Sequence, residues 1–265
     1  MDTKKYLEIC ERSETGPKVS KEDWDLDYII DGVRELVEEY DFSWDKNVLI
    51  PNDDKLLDQI FEASKRLICK TGVYNISTGR VINLTEDEIE EGLRQMKKEL
   101  VMGEGKDAVT LYARNIEDKR APLIWAGNPG CPTPEEIFYE NVLSSAKEPI
   151  VDLLTCGSLI DVDGFKVKGN HPTEVLATCR ELKYIHKALR EVGRPGMGLL
   201  AAESAVTELG DIAAANHNGL RPCDAHLVAL FNELIIDNGN MARAAYSLEY
   251  GMRNASLACA MVGGL

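Results

Sequence analysis

The stretch GRPGMGLLAAES, residues 193–204, decides how this chain is read. Its glycines and proline make a tight run, Leu199 and Leu200 follow as a short apolar strand, and a helix opens near Glu203. Loop, strand and helix in that order form one β/α unit, and the flanking sequence repeats it. Upstream, PLIWAG (122–127) leads through the Pro-rich NPGCPTP into a helix ending near Lys147. PIVDLLTCG (149–157) leads through an inserted turn or hairpin, GSLIDVDGFKVKGN, into a long helix from Pro172 to about Val192. Downstream, AHLVALF (225–231), NELIID (232–237) and NASLACAMVG (254–263) offer further strand or helix segments. This alternation predicts an α/β protein with about four parallel units, half the eight of a closed barrel. Half a barrel leaves sheet edges unpaired and an inner apolar face uncovered. The chain is therefore expected to be the N-terminal half of a longer protein, the alternative being that another chain supplies the rest.

Residues 1–120 read differently, as a helical extension carrying one hairpin. Ser20-Lys21-Glu22-Asp23 is an approximate capping box for a helix that spaces Trp24, Tyr28, Ile29, Val33 and Leu36 along one side. Asp53 and Asp54 open a second helix with an apolar stripe of Leu57, Ile60, Phe61 and Leu67, and Gly72 ends it. Val73–Ile76 and Val81–Leu84 flank Ser77-Thr78-Gly79 as a β-hairpin. Thr85-x-x-Glu88 caps a helix running to about Val101, and Gly103-x-Gly105 stops it.

Composition narrows the class. The 265 residues carry 44% hydrophobic side chains and a net charge of −15, with a mean hydropathy of −0.22. The acid excess is spread along both parts, and no Lys/Arg run offers itself to phosphate, so a nucleic acid is not the expected partner. No apolar stretch approaches the ~20 residues that span a bilayer, and the N-terminus lacks the apolar core of a signal peptide, so a membrane is not expected and the cytoplasm is. The seven cysteines (10, 69, 131, 156, 179, 223, 259) are isolated from one another. They predict free or buried thiols rather than a zinc site or a disulfide framework, and no directly bound metal is expected.

Two glycine motifs fail on context. Gly196-x-Gly198-x-x-Ala201 has the spacing of a dinucleotide fingerprint, but a helix and not a strand precedes it, so no NAD site follows. Gly103-Glu104-Gly105-Lys106 lacks both the first glycine of a phosphate-binding loop and the Ser/Thr after its lysine.

Several segments in register from about Ser20 onward resemble one family. They are EDWDL (22–26), Ile50-Pro51 through TGVYNISTGRVINLTEDEIEEGL, VMGEGKDAV (101–109), PLIWAGNPGCPTPEEIF (122–138), TEVLA (173–177), GRPGMG, Asp224-x-His226 and NELIID. Together they resemble the monomethylamine methyltransferases of methanogens, which pass a methyl group from methylamine to a corrinoid protein. The resemblance implies a (β/α)8 barrel of the TIM type, of which residues 121–265 are the N-terminal part, behind the extension of 1–120. It also implies a site at the barrel mouth, a small methylated amine as donor, a corrinoid carried by a partner protein, and a homo-oligomer. In that family the second residue after the GRPGMG run is pyrrolysine, followed three residues later by Glu. Here those positions are Leu200 and Glu203, and two family glutamates fall at Leu227 and Leu257 in an ungapped alignment.

An amine is a poor leaving group unless it is protonated or captured by an electrophile, and Leu200 does neither. The three leucines imply a remodelled pocket for a donor that needs no capture, such as a quaternary amine. A non-catalytic paralogue or fragment that binds a corrinoid protein or a sister subunit is the other reading. Four side chains remain as catalytic candidates. Glu203 sits past a strand end, or is a helix-N-terminal acid favoured by the dipole. Asp224 and His226, two apart on one strand face, could form an acid/base couple, or be a turn-capping Asp beside a satisfied His. Glu233 is a second strand-end carboxylate or a helix-surface acid. His171, directly before Pro172, reads as a loop residue at a helix start, and His186 on the long helix and His217 in a loop are not expected to be ligands.

Overall fold

The computed structural model describes residues 3–43, 45, 47–48, 53–115, 117–155, 157–200, 207–215, 217–230, 234–251 and 253–258, with the side chains of 227–230 and 254–258 outside that description. The chain divides into two compact units. The first comprises residues 1–96, 230–238 and 258–265, and the second residues 97–229 and 239–257.

In the first unit, α1 (Thr3–Thr15) precedes a continuous helical stretch made of α2 (Lys21–Asp23), a π-helical segment Trp24–Ile30, and α3 (Asp31–Tyr40). Ser20 caps it, its hydroxyl accepting the Asp23 N–H at 3.0 Å. Trp24 is fully buried there, and its ring stacks 5.2 Å from Tyr28 and 5.3 Å from Tyr74. Helix α4 (Asp54–Thr71) starts at Asp53, whose carboxylate accepts the Lys55 and Leu56 N–H groups, and ends at Gly72 with φ +75°. The apolar stripe expected on α4 is covered only in part. Gly32 lets Leu67 approach closely, whereas Leu57, Ile60 and Phe61 stay exposed.

Strands β1 (Val73–Asn75) and β2 (Arg80–Ile82) pair antiparallel as a hairpin. A later strand, β13 (Ile235–Ile236), adds in parallel to the other edge of β1, with Tyr74 opposite Ile235. Part of NELIID thus completes a three-stranded sheet with the hairpin, because Ile235 buries itself with Trp24, Tyr74 and Val81. Thr85 and Glu88 form the capping box of α5 (Glu86–Gln95).

The second unit opens with a ribbon, β3 (Glu99–Met102) and β4 (Val109–Tyr112), joined through a 3₁₀ turn. The helix expected to reach Val101 ends at Gln95, and residues 97–120 do not belong to the helical unit. The physical reason is a set of long-range bonds: Gly103 N–H donates to Cys223 O at 2.9 Å, and Glu104 N–H to Gly196 O at 2.8 Å. Met102 is buried beside Leu153 and Ala225.

The β/α alternation follows. It runs β5 (Trp125–Ala126), β6 (Pro132–Thr133), α6 (Glu135–Ala146), β7 (Leu153–Leu154), β8 (Ser158–Leu159), β9 (Asp161–Val162), β10 (Phe165–Lys166) and α7 (Pro172–Glu191). It continues with β11 (Gly198–Leu199), α8 (Glu208–Ala214), β12 (Ala225–Leu230), α9 (Asn238–Tyr250) and β14 (Arg253–Ala258). Strands β5, β7 and β11 form a parallel sheet in chain order. A parallel bridge from Leu200 to Ala225 carries the series to β12, which pairs with β14. The insertion at 157–170 contains the β9–β10 hairpin.

Side chains alternate across this sheet as the strand period requires. Leu154 and Leu199 on one face pack with Phe138, Leu143, Leu182, Ile185 and Leu189 of α6 and α7. Each fully buried leucine or isoleucine there stabilises the unit by about 1.5–3 kcal/mol. Leu153 and Ala225 on the other face pack with Met102, and Leu200 lies against them. Among the described residues no helix is long and apolar enough to cross a membrane.

Candidate active site

Polar contacts fix the segment that leads into Leu200. Gly193, with φ +73°, follows the end of α7. The Arg194 guanidinium donates to Val151 O at 2.6 Å and Glu148 O at 3.3 Å. Gly196 N–H donates to the Asp107 carboxylate at 3.0 Å. Gly198 faces the β3–β4 turn with no room for a side chain: a Cβ there would meet Gly103 N at 2.8 Å and Leu153 Cδ2 at 2.9 Å. These contacts explain the glycines, which serve close backbone approach.

Asp224 and Arg221 complete the anchor. Asp224 is wholly buried, and its Oδ1 accepts Leu199 N–H and an Arg221 Nη2 hydrogen, both at 2.9 Å. Its Oδ2 accepts from Arg221 N at 2.8 Å and Arg221 Nε at 3.0 Å. The guanidinium also donates to Pro195 O, Met197 O and the Glu104 carboxylate. The acid/base couple expected of Asp224 and His226 is therefore not what the structure builds, because both Asp224 oxygens are committed to Arg221 and β11. His226 is buried with its ring edge-on to Tyr246, 6.4 Å between centroids. Sequence reasoning singled out neither Arg221 nor Asp107. The signal for Arg221 was its place three residues before Asp224 in a turn after a glycine.

Beyond the anchor the surroundings become apolar. Leu200 N–H donates to Leu154 O at 3.0 Å, and the half-buried side chain joins Met102, Leu153 and Ala225. Trp125 on β5 is opposite Leu153, and Leu153 is opposite Gly198, so one row crosses three strands two residues before Leu200. Trp125 is 45% exposed, while its neighbours Ile124 and Ala126 pack toward the helices. Leu227 and Leu257 fall on β12 and β14, which pair with each other, and their side chains lie outside the described residues. Glu203 and Glu233 also lie outside the described residues.

His171 and His186 have structural partners, and His217 is exposed in the loop before β12. His171 caps α7, its Nδ1 accepting Thr173 N–H at 3.3 Å. His186 Nε2 is 2.8 Å from Gly219 O, and burial holds its pKa below the ordinary histidine value. Among the described residues no three His, Cys, Asp or Glu side chains gather as metal ligands. Cys10, Cys69, Cys131, Cys179 and Cys223 form no disulfide.

The family model described as Monomethylamine methyltransferase MtmB matches residues 5–265. The chain belongs to the MtmB family. A monomethylamine methyltransferase of Methanosarcina acetivorans is 33% identical over 239 residues, which is 90% of this chain and 52% of the relative. One from Methanosarcina barkeri is 34% identical over 230 residues, 87% of this chain and 50% of the relative. The chain thus spans about half the length of these curated MtmB relatives. The crystal structure of Methanosarcina barkeri MtmB superposes with a TM-score of 0.90 at 31% identity, covering 96% of this chain and 55% of that one. The hydroxylamine complex of MtmB gives the same agreement.

Proposed function

We propose that this chain takes part in transfer of a methyl group from a methylated amine to the cobalt of a corrinoid held by a partner protein. Family membership over residues 5–265 carries the reading. We further infer that β5, β7, β11, β12 and β14 are an arc of a (β/α)8 barrel, a reading supported by their succession in chain order and by the helices packed on one face. The substrate then meets the strand ends, where Leu200 lies.

The reaction breaks a carbon–nitrogen bond, and the nitrogen leaves with the bonding pair while the methyl group moves to reduced cobalt. With Leu200 at the pyrrolysine position, no side chain at that point captures or protonates the amine. A quaternary ammonium donor needs neither step, since its nitrogen leaves as a neutral amine. An apolar lining with an accessible indole suits such a cation, and Trp125 lies on the strand face shared with Leu123 of the Leu200 cluster. The commitment of Asp224 to Arg221 supports the second reading, a binding module without turnover.

Reduced corrinoid protein mixed with this chain and either monomethylamine or tetramethylammonium separates the readings by the corrinoid spectrum. Transfer from tetramethylammonium alone is expected, with KM raised by Trp125→Ala. Transfer from monomethylamine alone overturns the quaternary-donor reading, and no transfer from either favours the binding module.

A further inference from the structure

Helix α7 turns one face toward the loop before β12, and that face is basic. Cys179, Lys183, His186 and Arg190 recur at helical spacing along it, so the four side chains lie above one another. With His217, Asn218, Gly219 and Arg221 they line a cavity of about 600 Å³. Among the described residues no carboxylate is in that lining, although the chain as a whole carries a net charge of −15. His186 is pinned by the Gly219 carbonyl, and Arg221, the Asp224 carboxylate behind it and Arg190 all act on it electrostatically, so both arginines share one small space with it.

Arg190 by itself is accounted for by its place in the last turn of α7, where the helix dipole favours a cation. Lys183 is a full two turns earlier, and that account does not extend to it or to His217 across the cavity. Arg221 is already held by Asp224 and Glu104, which leaves Lys183 and Arg190, both exposed, as the pocket's other Lys/Arg cations among the described residues. A guanidinium fork and an ammonium facing one cavity match an oxyanion with several oxygens. The volume falls in the range of small-molecule sites and exceeds what a bare phosphate fills.

We propose that this cavity binds a phosphate-bearing small molecule, its phosphate held by Lys183 and Arg190 beside His217. The site is separate from the Leu200 cluster and is independent of the methyl-transfer reading.

Titration calorimetry of the full chain with inorganic pyrophosphate tests it. Saturable one-to-one uptake is expected, weakened about tenfold by Arg190→Gln and by Lys183→Gln, each of which removes a charge-assisted hydrogen bond. Lys98→Gln removes a cation from a different pocket, shared with Lys97 and Arg253, and is expected to leave uptake unchanged. Absence of saturable heat overturns the proposal. So does uptake that survives both α7 variants, or that falls equally in Lys98→Gln, which would mark diffuse attraction. Amide spectra of the unmutated chain give a second readout that needs no variant to fold. Pyrophosphate is expected to shift the His217 and Gly219 signals, and shifts confined to other residues overturn the assignment.

Discussion

Arg12 with Glu88 in the first unit and Arg221 with Asp224 in the second are both arginine–carboxylate anchors, yet they work in different surroundings. The Arg12 guanidinium meets the two Glu88 oxygens at 2.8 and 2.6 Å, with side chains 32% and 17% exposed. Glu88 also accepts Thr85 N–H in the capping box, so one carboxylate ties α1 to the start of α5. Asp224 has no exposure and takes its hydrogen bonds from Arg221 and from the backbone of β11. Water can replace the first pair when it breaks. The second has no such substitute, so its loss leaves charge and backbone donors without partners.

The largest expected effect is therefore from Asp224→Ala, about 3–5 kcal/mol of stability in urea unfolding, since the partly buried Arg221 guanidinium loses its wholly buried counter-charge and the Leu199 and Arg221 backbone N–H groups lose their acceptor. A loss below about 1 kcal/mol would mean that Arg221 re-pairs, and the contrast with Glu88 would fail. Gly103→Ala is expected next, at about 2–3 kcal/mol, because φ is +72° and the added Cβ meets Gly196 O at 2.5 Å. Circular dichroism during thermal unfolding would show it as a lowered midpoint.

Acid sharpens the contrast from the other side. The hydrogen bond from Arg12 holds the Glu88 pKa at about 2, below the ordinary 4.5. A depressed folded pKa contributes stability that is present above 4.5 and is lost as pH falls toward about 2. Glu88→Gln should remove about 1 kcal/mol at neutral pH and flatten the acid limb of a stability–pH curve in that window. An unchanged acid limb would show that the pair contributes nothing. Glu104→Gln is the smallest change. It removes an Arg221 partner that is 63% exposed, and the expected loss is at most about 0.5 kcal/mol in the same urea assay.

Local chemistry was legible because it is written in neighbouring residues. Ser20, Asp53 and Thr85 cap helices by bonds to N–H groups two or three residues on, and each was readable from its own short segment. The Val73–Ile82 hairpin was equally local. The candidate site was harder to read. Asp224 and His226 suggested an acid/base couple by their spacing, but spacing gives only a shared strand face and cannot say which third group claims a carboxylate. Arg221 claimed it, and Glu104, which joins the same guanidinium, lies far earlier in the chain.

The sequence by itself determined the β/α alternation, the capped helix starts, the absence of a basic run and the family, since periodicity, caps, charge and ordered motifs need no knowledge of distant contacts. Only the tertiary structure decided that Ile235–Ile236 joins β1, that the β3–β4 ribbon buries Met102 beside Leu153, and that the GRPGMG segment hangs from Asp224, Arg221 and Asp107. Each of those outcomes depends on which buried polar group or strand edge finds a partner across long stretches of chain, and that competition is settled by packing rather than by any local segment.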